Sequence, residues 1–547
     1  MYFLDDQPSC QVISSDFDGI NLCKFAIISE DDVKKCILSC STKSCDLDPI
    51  STSLLKECLD VLLPYITNIF NTSLTSGIVP NCFKQAIIKP LLKNYSLDPN
   101  ILSNYRPVSN LPFLSKVLER LVINQLMNHI KSNGLQELYQ SAYKSMHSTE
   151  SALLKVTSDI LEIIDKKEVC LLTLLDLSAA FDTIDHDILL KRLNLTFGLS
   201  DTVLLWFKSY LSERFQSVGI GISSSHKLPL NVGVPQGSVL GPILFTLYTQ
   251  PLSCIFEKYG VMYHLYADDT QIYLSGKAED LDTMLQTVSE CIREVKLWMT
   301  SNRLKLNDDK TDVMLVAHEK TPVIDLPNVL KVNESYIKFN DNVKNLGMIL
   351  DNKFSMVPSI NQLCKNLYFQ IRNISKIRHF IPEDISKKLV TTLVLSKLDY
   401  CNSLFVGLQD YNIKRLQTAQ NSAARLVKRQ SKSCHITPLL RELHWLPVHA
   451  RIHYKICLYV YKCLNNLAPL YLSSMIEIYA PRRSLRSSEE KSILKTTKFN
   501  YCHYGCRSFS FQAPKLWNAL PKHIRDSQSI EIFKKNLKHH LFILYFD

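Results

Sequence analysis

The stretch Met262-Tyr263-His264-Leu265-Tyr266-Ala267-Asp268-Asp269-Thr270-Gln271-Ile272-Tyr273-Leu274 decides how the rest of the chain is read. Apolar and polar side chains alternate on both sides of Asp268-Asp269, the period of two expected of a β-hairpin. Two adjacent aspartates at its turn place like charges close together, and divalent cations bound between them relieve the repulsion. A single aspartate in a turn is common and needs no such partner. A second strand adds a third carboxylate, because the apolar run Val169-Cys170-Leu171-Leu172-Thr173-Leu174-Leu175 ends in Asp176. A carboxylate there is costly to bury unpaired and needs water, a cation or a metal. Taken alone, Asp176 would more often cap the following helix. Carboxylates from two strands together make a ligand set for two Mg²⁺ ions about 4 Å apart, which serve in-line phosphoryl transfer. Mn²⁺ suits the same hard oxygen donors.

Outward from this centre the chain reads as a mixed α/β body. Apolar residues recur at helical spacing from Ile50 to Leu74, and Gly77 and Pro80 then break the pattern. Ala86–Leu92 reads as a short strand, and Ser115–Ile130 as a helix. Helices follow from about Asp187 and around Leu204–Leu211. Gly233–Gly241 is a loop punctuated by Gly and Pro that leads into a helix over Ile243–Leu252. A helix over 280–300 and a short strand pair within Leu304–Leu315 complete the body. Beyond Asp351 the pattern is mainly helical. No internal repeat and no low-complexity tract occurs.

The chain has 547 residues, 46% hydrophobic and 21% charged, a composition of globular rather than disordered proteins. That length implies several subdomains. No run of 18 apolar residues occurs, and the start Met1-Tyr2-Phe3-Leu4-Asp5-Asp6 lacks the features of a signal peptide. The expected location is therefore the nucleus and cytoplasm, with no membrane partner. The 17 cysteines are spread out without a CxxC pair, as expected of free thiols. Cys502, His503 and Cys506 form the densest group, but a zinc knuckle needs four ligands and no convincing others lie nearby. Charge is strongly asymmetric. Residues 351–547 hold 31 Lys+Arg against 12 Asp+Glu, so this part either faces a polyanion or simply presents a solvated basic surface.

Five segments now stand in a telling order: Asp176 with Phe181; Gly233-Val234-Pro235-Gln236-Gly237-Ser238; Tyr266-Ala267-Asp268-Asp269; Leu306-Asn307-Asp308-Asp309-Lys310-Thr311; and Asn345-Leu346-Gly347. This set resembles the motifs of reverse transcriptases. Finer wording is similar to non-LTR (LINE-type) retrotransposon polymerases, particularly the jockey-like group. The phrases that carry it are Asn104-Tyr105-Arg106-Pro107-Val108-Ser109, Gln140-Ser141-Ala142-Tyr143, His147-Ser148-Thr149-Glu150 and Leu177-Ser178-Ala179-Ala180-Phe181-Asp182. The match runs from about residue 45 to 350, and the later basic part also resembles that group.

The resemblance implies roles. Asp176, Asp268 and Asp269 would hold the metals. Phe181 would be an aromatic gate whose ring clashes with a ribose 2′-OH, although a lone Phe is more often core. Gln236 and Gly237 would touch the incoming nucleotide and the template, glycine allowing close backbone approach. Arg106 and Lys93 would reach the triphosphate, the guanidinium through paired hydrogen bonds. Lys310 would protonate the departing pyrophosphate, and Leu346-Gly347 would form a primer grip. A surface lysine at 93 and a solvated loop at 310 are the plain alternatives.

The expected fold is α+β, a right-hand polymerase with a mainly helical, basic C-terminal domain. Residues 1–49 would be a linker remnant. Residues 50–165, with a stretch near 210–235, would be fingers, and 166–350 the palm together with part of the fingers. A helical thumb would span 351–430 and the basic domain 431–547. The expected partners are an RNA template, a DNA primer or target, and dNTPs. The apurinic-type endonuclease of full-length relatives is not expected in this chain, nor is an RNase H carboxylate set. One rival is an RNA-dependent RNA polymerase, which Phe181 opposes. Another is a non-catalytic nucleic-acid-binding remnant of a mobile element, which the intact carboxylates oppose. In residues 431–547, Trp445, Tyr459, Tyr461, Tyr501, Tyr504, Phe509, Phe511 and Trp517 are interleaved with cations. They would either stack on bases or fill a core.

Overall fold

The computed structural model describes residues 17–178, 181–307, 310–321, 329–332, 335–479, 493–501 and 503–546. Ala179, Ala180, Asp308, Asp309 and Cys502, which belong to segments quoted above, lie outside the described residues, as does the start of the chain. Two compact units form. The first combines residues 1–137, 176–258 and 292–307, and the second 138–175, 259–291 and 308–547. The linear boundaries at 165, 350 and 430 do not coincide with these units. The helix Thr149–Asp165, for example, lies in the second unit, where Leu153, Val156 and Ile160 enter its core.

In the first unit the strand Gln85–Leu92 is central to a small sheet. It pairs antiparallel with Tyr105–Asn110 and, over its first half, parallel with Phe215–Ile220. Pro90 and Pro107 oppose each other where this is tolerated. Tyr105–Asn110 is the sheet's edge, and the parallel pairing ends at Ile88, so no ladder bond is lost. Helices Leu59–Ser76, Phe113–Ser132 and Asp201–Leu211 bury their apolar stripes in the same unit. Trp206 is fully buried there, stacks on Tyr210 and donates its indole N–H to Ser73 Oγ at 3.1 Å. The hydrogen bond satisfies the indole's polar atom, which would otherwise be costly to bury.

In the second unit four antiparallel strands lie in the order Asp312–Val316, Val169–Leu175, Asp269–Gly276, Met262–Tyr266. Val169–Leu175 is interior to this sheet, which explains its nearly unbroken apolar run. Ser148 and Ser151 cap the helix Thr149–Asp165 reciprocally, each hydroxyl accepting the other residue's backbone N–H. Helices Val357–Ile377, Asp410–Lys428, Val448–Leu464, Phe509–Asn518 and Ile530–Phe546 follow, and their apolar residues join one core with the sheet.

Two expected elements differ. Lys305–Leu306 and Asp312–Val316 do not pair with each other. The first pairs with Leu177–Ser178 and the second with Val169–Leu175, each satisfying its backbone groups on a different segment. The helix expected over Ile243–Leu252 stops at Thr249, before Pro251, and a new helix begins at Leu252. No helix among the described residues is long and apolar enough to cross a membrane.

Candidate active site

The hairpin bearing the paired aspartates closes on the pair Tyr266↔Asp269, leaving Ala267 and Asp268 as a two-residue turn. Ala267 has φ +58°, as the first central position of a II′-type turn requires. Glycine normally takes that position, and an L side chain there costs about 1–2 kcal/mol. Asp268 is half-buried and Asp269 exposed. On the neighbouring strand Leu175 pairs with Thr270. Asp176 follows Leu175 directly in the chain, as Thr270 follows Asp269.

Residues 139–142 brace the turn. Leu265 donates its N–H to the Tyr139 carbonyl and accepts from Ser141, both at 2.9 Å, so this segment adds a short parallel bridge beside the hairpin. Gln140 is buried, and its side-chain carbonyl accepts the N–H groups of Ala267 and Ala142. The Ser141 hydroxyl bonds His264 Nε2 and the Tyr471 hydroxyl, each at 2.8 Å, and Tyr471 also bonds Ser151 at 2.9 Å. His264 is fully enclosed. Burial, aided by the charges of Lys155, His147 and Lys144, pushes its imidazole down to about 3. It is therefore neutral at ordinary pH. Tyr143 lies close to Asp268: burial first, and the Asp268 charge second, raise its phenol. The motif phrase Gln140-Ser141-Ala142-Tyr143 carried the family resemblance, but nothing in its composition told that Gln140 reaches the turn.

The nucleotide-contact candidates fall, with Asp176, in the first unit. Asp176 is half-buried, and its carbonyl accepts the Asn307 N–H at 2.9 Å. Leu91 opposes Arg106 in the sheet, and Lys93 lies two residues beyond Leu91, so both cations share one face. Lys93 and Arg106 are exposed, and Lys93 Nζ donates to the Ser103 carbonyl at 2.8 Å. Phe181 is half-buried, with its ring 4.8 Å from that of Phe245. Its carbonyl accepts the Val234 N–H at 2.9 Å, tying it to the 233–238 loop.

Within that loop, the Gln236 carbonyl accepts the Ser109 N–H at 2.7 Å, and its amide donates to Asp182 at 3.1 Å. Gly237 has φ +131°, and a Cβ there would sit 2.3 Å from the Ser109 carbonyl oxygen. The glycine is thus already required by the close passage of residue 109. Two motif phrases, 104–109 and 233–238, are joined by these contacts. Glu119 anchors the end of the loop by accepting the N–H groups of Val239 and Leu240 at 2.7 and 2.9 Å. Sequence reasoning missed Glu119 and Asp182 as supports, because an acid that holds a loop looks like any helix or turn acid.

Asp268, Asp269 and Lys310 belong to the second unit, and Lys310 is exposed. Leu346 and Gly347, with φ +43° and +85°, form the I′-type turn between the paired strands Asn342–Asn345 and Met348–Asp351. Asn345 ties this turn to the hairpin, its amide donating to Gln271 Oε1 at 2.7 Å. Among the described residues no three His, Cys, Asp or Glu side chains are grouped to hold a metal ion. Of the Cys502, His503 and Cys506 group, His503 is exposed and Cys506 half-buried. In the tail, Trp445, Tyr459, Tyr461, Tyr504, Phe509 and Trp517 are all buried, so these aromatics fill a core.

A family model described as reverse transcriptase (RNA-dependent DNA polymerase) matches residues 92–350, an interval that holds the polymerase candidates from Lys93 to Gly347. Residues 92–350 are thus similar to the reverse transcriptase family. The probable RNA-directed DNA polymerase from transposon BS of Drosophila melanogaster is 26% identical over 473 residues, 83% of this chain and 50% of the relative. The RNA-directed DNA polymerase from mobile element jockey of the same species is 29% identical over 362 residues, 65% of this chain and 38% of the relative. The probable polymerase from transposon X-element is 28% identical, covering 74% of this chain and 44% of the relative. The chain thus spans half or less of the length of these relatives. The match to the first of them is longer than residues 92–350, so it also takes in part of the flanking sequence.

Proposed function

We propose that this chain is the RNA-directed DNA polymerase of a jockey-like non-LTR retrotransposon, adding dNTPs to a primer 3′-hydroxyl on an RNA template. The observation that carries the reading is the Asp268-Asp269 turn, held in a strained conformation by Gln140, within a domain of the reverse transcriptase family. Strain of this kind clusters where a side chain must be aimed. Asp268 and Asp269 offer hard carboxylate oxygens, as does Asp176. That donor chemistry suits Mg²⁺, which takes one or two carboxylates from a protein and its other ligands from substrate phosphates and water. These three residues would hold two Mg²⁺ ions, or Mn²⁺ in their place. Bound there, such ions would lower the cost of developing charge on the attacking and leaving oxygens.

The chain's own residues would then orient the substrates. Arg106 and Lys93, on one face of their sheet, would take the triphosphate. Gln236 and Gly237, fixed against residue 109, would meet the nucleotide and template. Phe181, backed by Phe245, would exclude a ribose 2′-OH. Lys310 would deliver a proton to the pyrophosphate leaving group. In this reading the stretches 50–165 and 210–235 act as fingers, 166–350 as palm with part of the fingers, 351–430 as thumb, and 431–547 as a basic domain. Extension of a DNA primer on an RNA template, with and without Mg²⁺, tests it. Template binding without any metal-dependent extension would leave a nucleic-acid-binding remnant instead.

A further inference from the structure

A cleft of about 1130 Å³ lies within the second unit. It is lined by the helical stretch from Lys387 to Asp399, by the helix Val448–Leu464, by Lys538 and by the first turn of the helix Thr149–Asp165. The acids in its lining are already matched. Arg451 donates to both oxygens of Asp399 at 3.0 and 2.8 Å, and Lys455 donates to Glu150 at 2.9 Å. Three further cations, Lys387, Lys462 and Lys538, line the cleft and have no ion-pair partner among the described residues. Lys462 is half-buried, and its ammonium is held below the usual lysine range by burial first and then by the charges of Lys534 and Lys455. A cation so placed is relieved when an anion binds beside it.

The cleft also offers aromatic faces. Tyr400 is 42% exposed and Tyr454 half-buried, and both line it. Tyr400 donates its hydroxyl to the Leu346 carbonyl at 2.6 Å, and its ring lies against Gly347. One wall of the cleft therefore touches the Leu346-Gly347 turn. Pockets of about 300–1,000 Å³ enclose a single drug-sized ligand. A cleft slightly larger than that has room for a few nucleotides of one strand.

We infer that this cleft binds a single-stranded polynucleotide, with phosphates on Lys387, Lys462 and Lys538 and a base against Tyr400. The inference rests on the polymerase reading for its choice of nucleic acid over other polyanions. The combination is physically sufficient: lysines neutralise phosphates while an aromatic face accepts any base. It also gives the basic C-terminal region a binding role that does not draw on its buried aromatics.

Anisotropy titrations at several salt concentrations test the inference on the full chain. The probes are labelled single-stranded RNA, DNA of the same sequence, the annealed duplex, and polyglutamate as a charge control. Single strands should bind more tightly than polyglutamate, and the cleft variants should weaken single-strand binding more than duplex binding. Tighter RNA binding would assign the cleft to a template, and equal binding to either strand. In the Lys387→Ala, Lys462→Ala, Lys538→Ala triple variant the slope of log K against log salt should flatten by about 2, at about 0.7 for each lost contact. Lys538→Glu alone, at an exposed position, should weaken binding without touching the core. An unchanged slope in a triple variant that melts like the wild type, with no loss in Lys538→Glu, overturns the inference. So does a preference for polyglutamate. Primer extension by the wild type, run alongside, separates the two claims. Extension with unchanged slopes sinks the cleft alone, and cleft binding without extension sinks the polymerase reading alone.

Discussion

The side-chain carbonyl of Gln140 accepts the Ala267 N–H at 3.1 Å, across 127 residues of chain, and the same oxygen accepts the Ala142 N–H at 2.9 Å. One buried amide thereby fixes both the turn that carries Asp268 and the segment lying beside it. Removing it leaves two backbone donors without their acceptor, at about 1–3 kcal/mol each where water cannot replace it. It also frees Ala267 to leave its strained conformation. Gln140→Ala should lower kcat for primer extension by about tenfold or more, since small misplacements of reacting groups are expensive. Affinity for primer–template should hold. An unchanged kcat in the folded variant would show that the turn keeps its shape without Gln140.

Asp268→Asn keeps the turn's size while removing a charge that the proposed metal site needs. Extension should be abolished and template binding left largely intact. Residual extension within about tenfold of wild type would refute the assignment, because loss of a direct ligand costs far more than that.

Phe181 has two claims on it, as a gate over the sugar and as a packing partner 4.8 Å from Phe245. Phe181→Val shortens the side chain, so a ribose 2′-OH should be admitted. A competition between dGTP and GTP in one reaction reads the change. A constant ratio would mean that the ring serves Phe245 and that selection against ribose lies elsewhere.

The parts of the site that were legible in the sequence share a property. Asp176, Asp268 and Asp269 are rare residues at the ends of apolar strands, and period-two alternation survives around them. Gly237 was legible as a residue that permits close approach, but not what approaches. The answer, the Ser109 carbonyl, comes from a strand more than a hundred residues away. Gln140, Glu119 and Tyr471 were illegible for the same reason: their partners are set by tertiary packing, and no local pattern records them. The interleaved aromatics of the tail left stacking and packing open in the sequence. Charge and ring alternate in sequence, yet a helix sends its rings inward and its lysines outward.

A buried and a half-buried histidine make stability depend on acid. His264 is held at about 3 and His453 at about 4, both chiefly by burial. Each takes up a proton in the unfolded chain below about 6.5 but not in the folded one until much lower pH. Unfolding therefore binds protons in that window, and stability falls as pH drops from about 6.5 toward 4. The loss is at most about 1.4 kcal/mol per pH unit for each histidine. Melting temperatures from pH 7 to 4.5 should show the decline, and His264→Gln should make it shallower. Parallel curves would place the proton uptake on other groups.

The basic tail allows a sharper test of what holds the second unit together. Trp517, Phe533, Leu537 and Tyr471 are all buried in the same core as Tyr273 of the hairpin strand and Leu350. Tyr461 and Phe533 stack with ring centres 4.3 Å apart. Tyr471 also supplies the hydroxyl that Ser141 and Ser151 share. A chain ending at residue 430 would lose all of these at once, while truncating even one buried tryptophan costs about 3–5 kcal/mol. Domains are typically stable by only about 5–15 kcal/mol, so the loss exceeds what the fold can absorb. The 1–430 protein should therefore fail to melt cooperatively and should lose extension together with stability. A tail that served only as an anchor would behave differently. It would leave a folded 1–430 protein that extends primers at saturating primer–template and binds single strands with a weaker salt dependence. Calorimetry on the two chains decides between these outcomes, and a cooperative transition in the shorter one would refute the shared core.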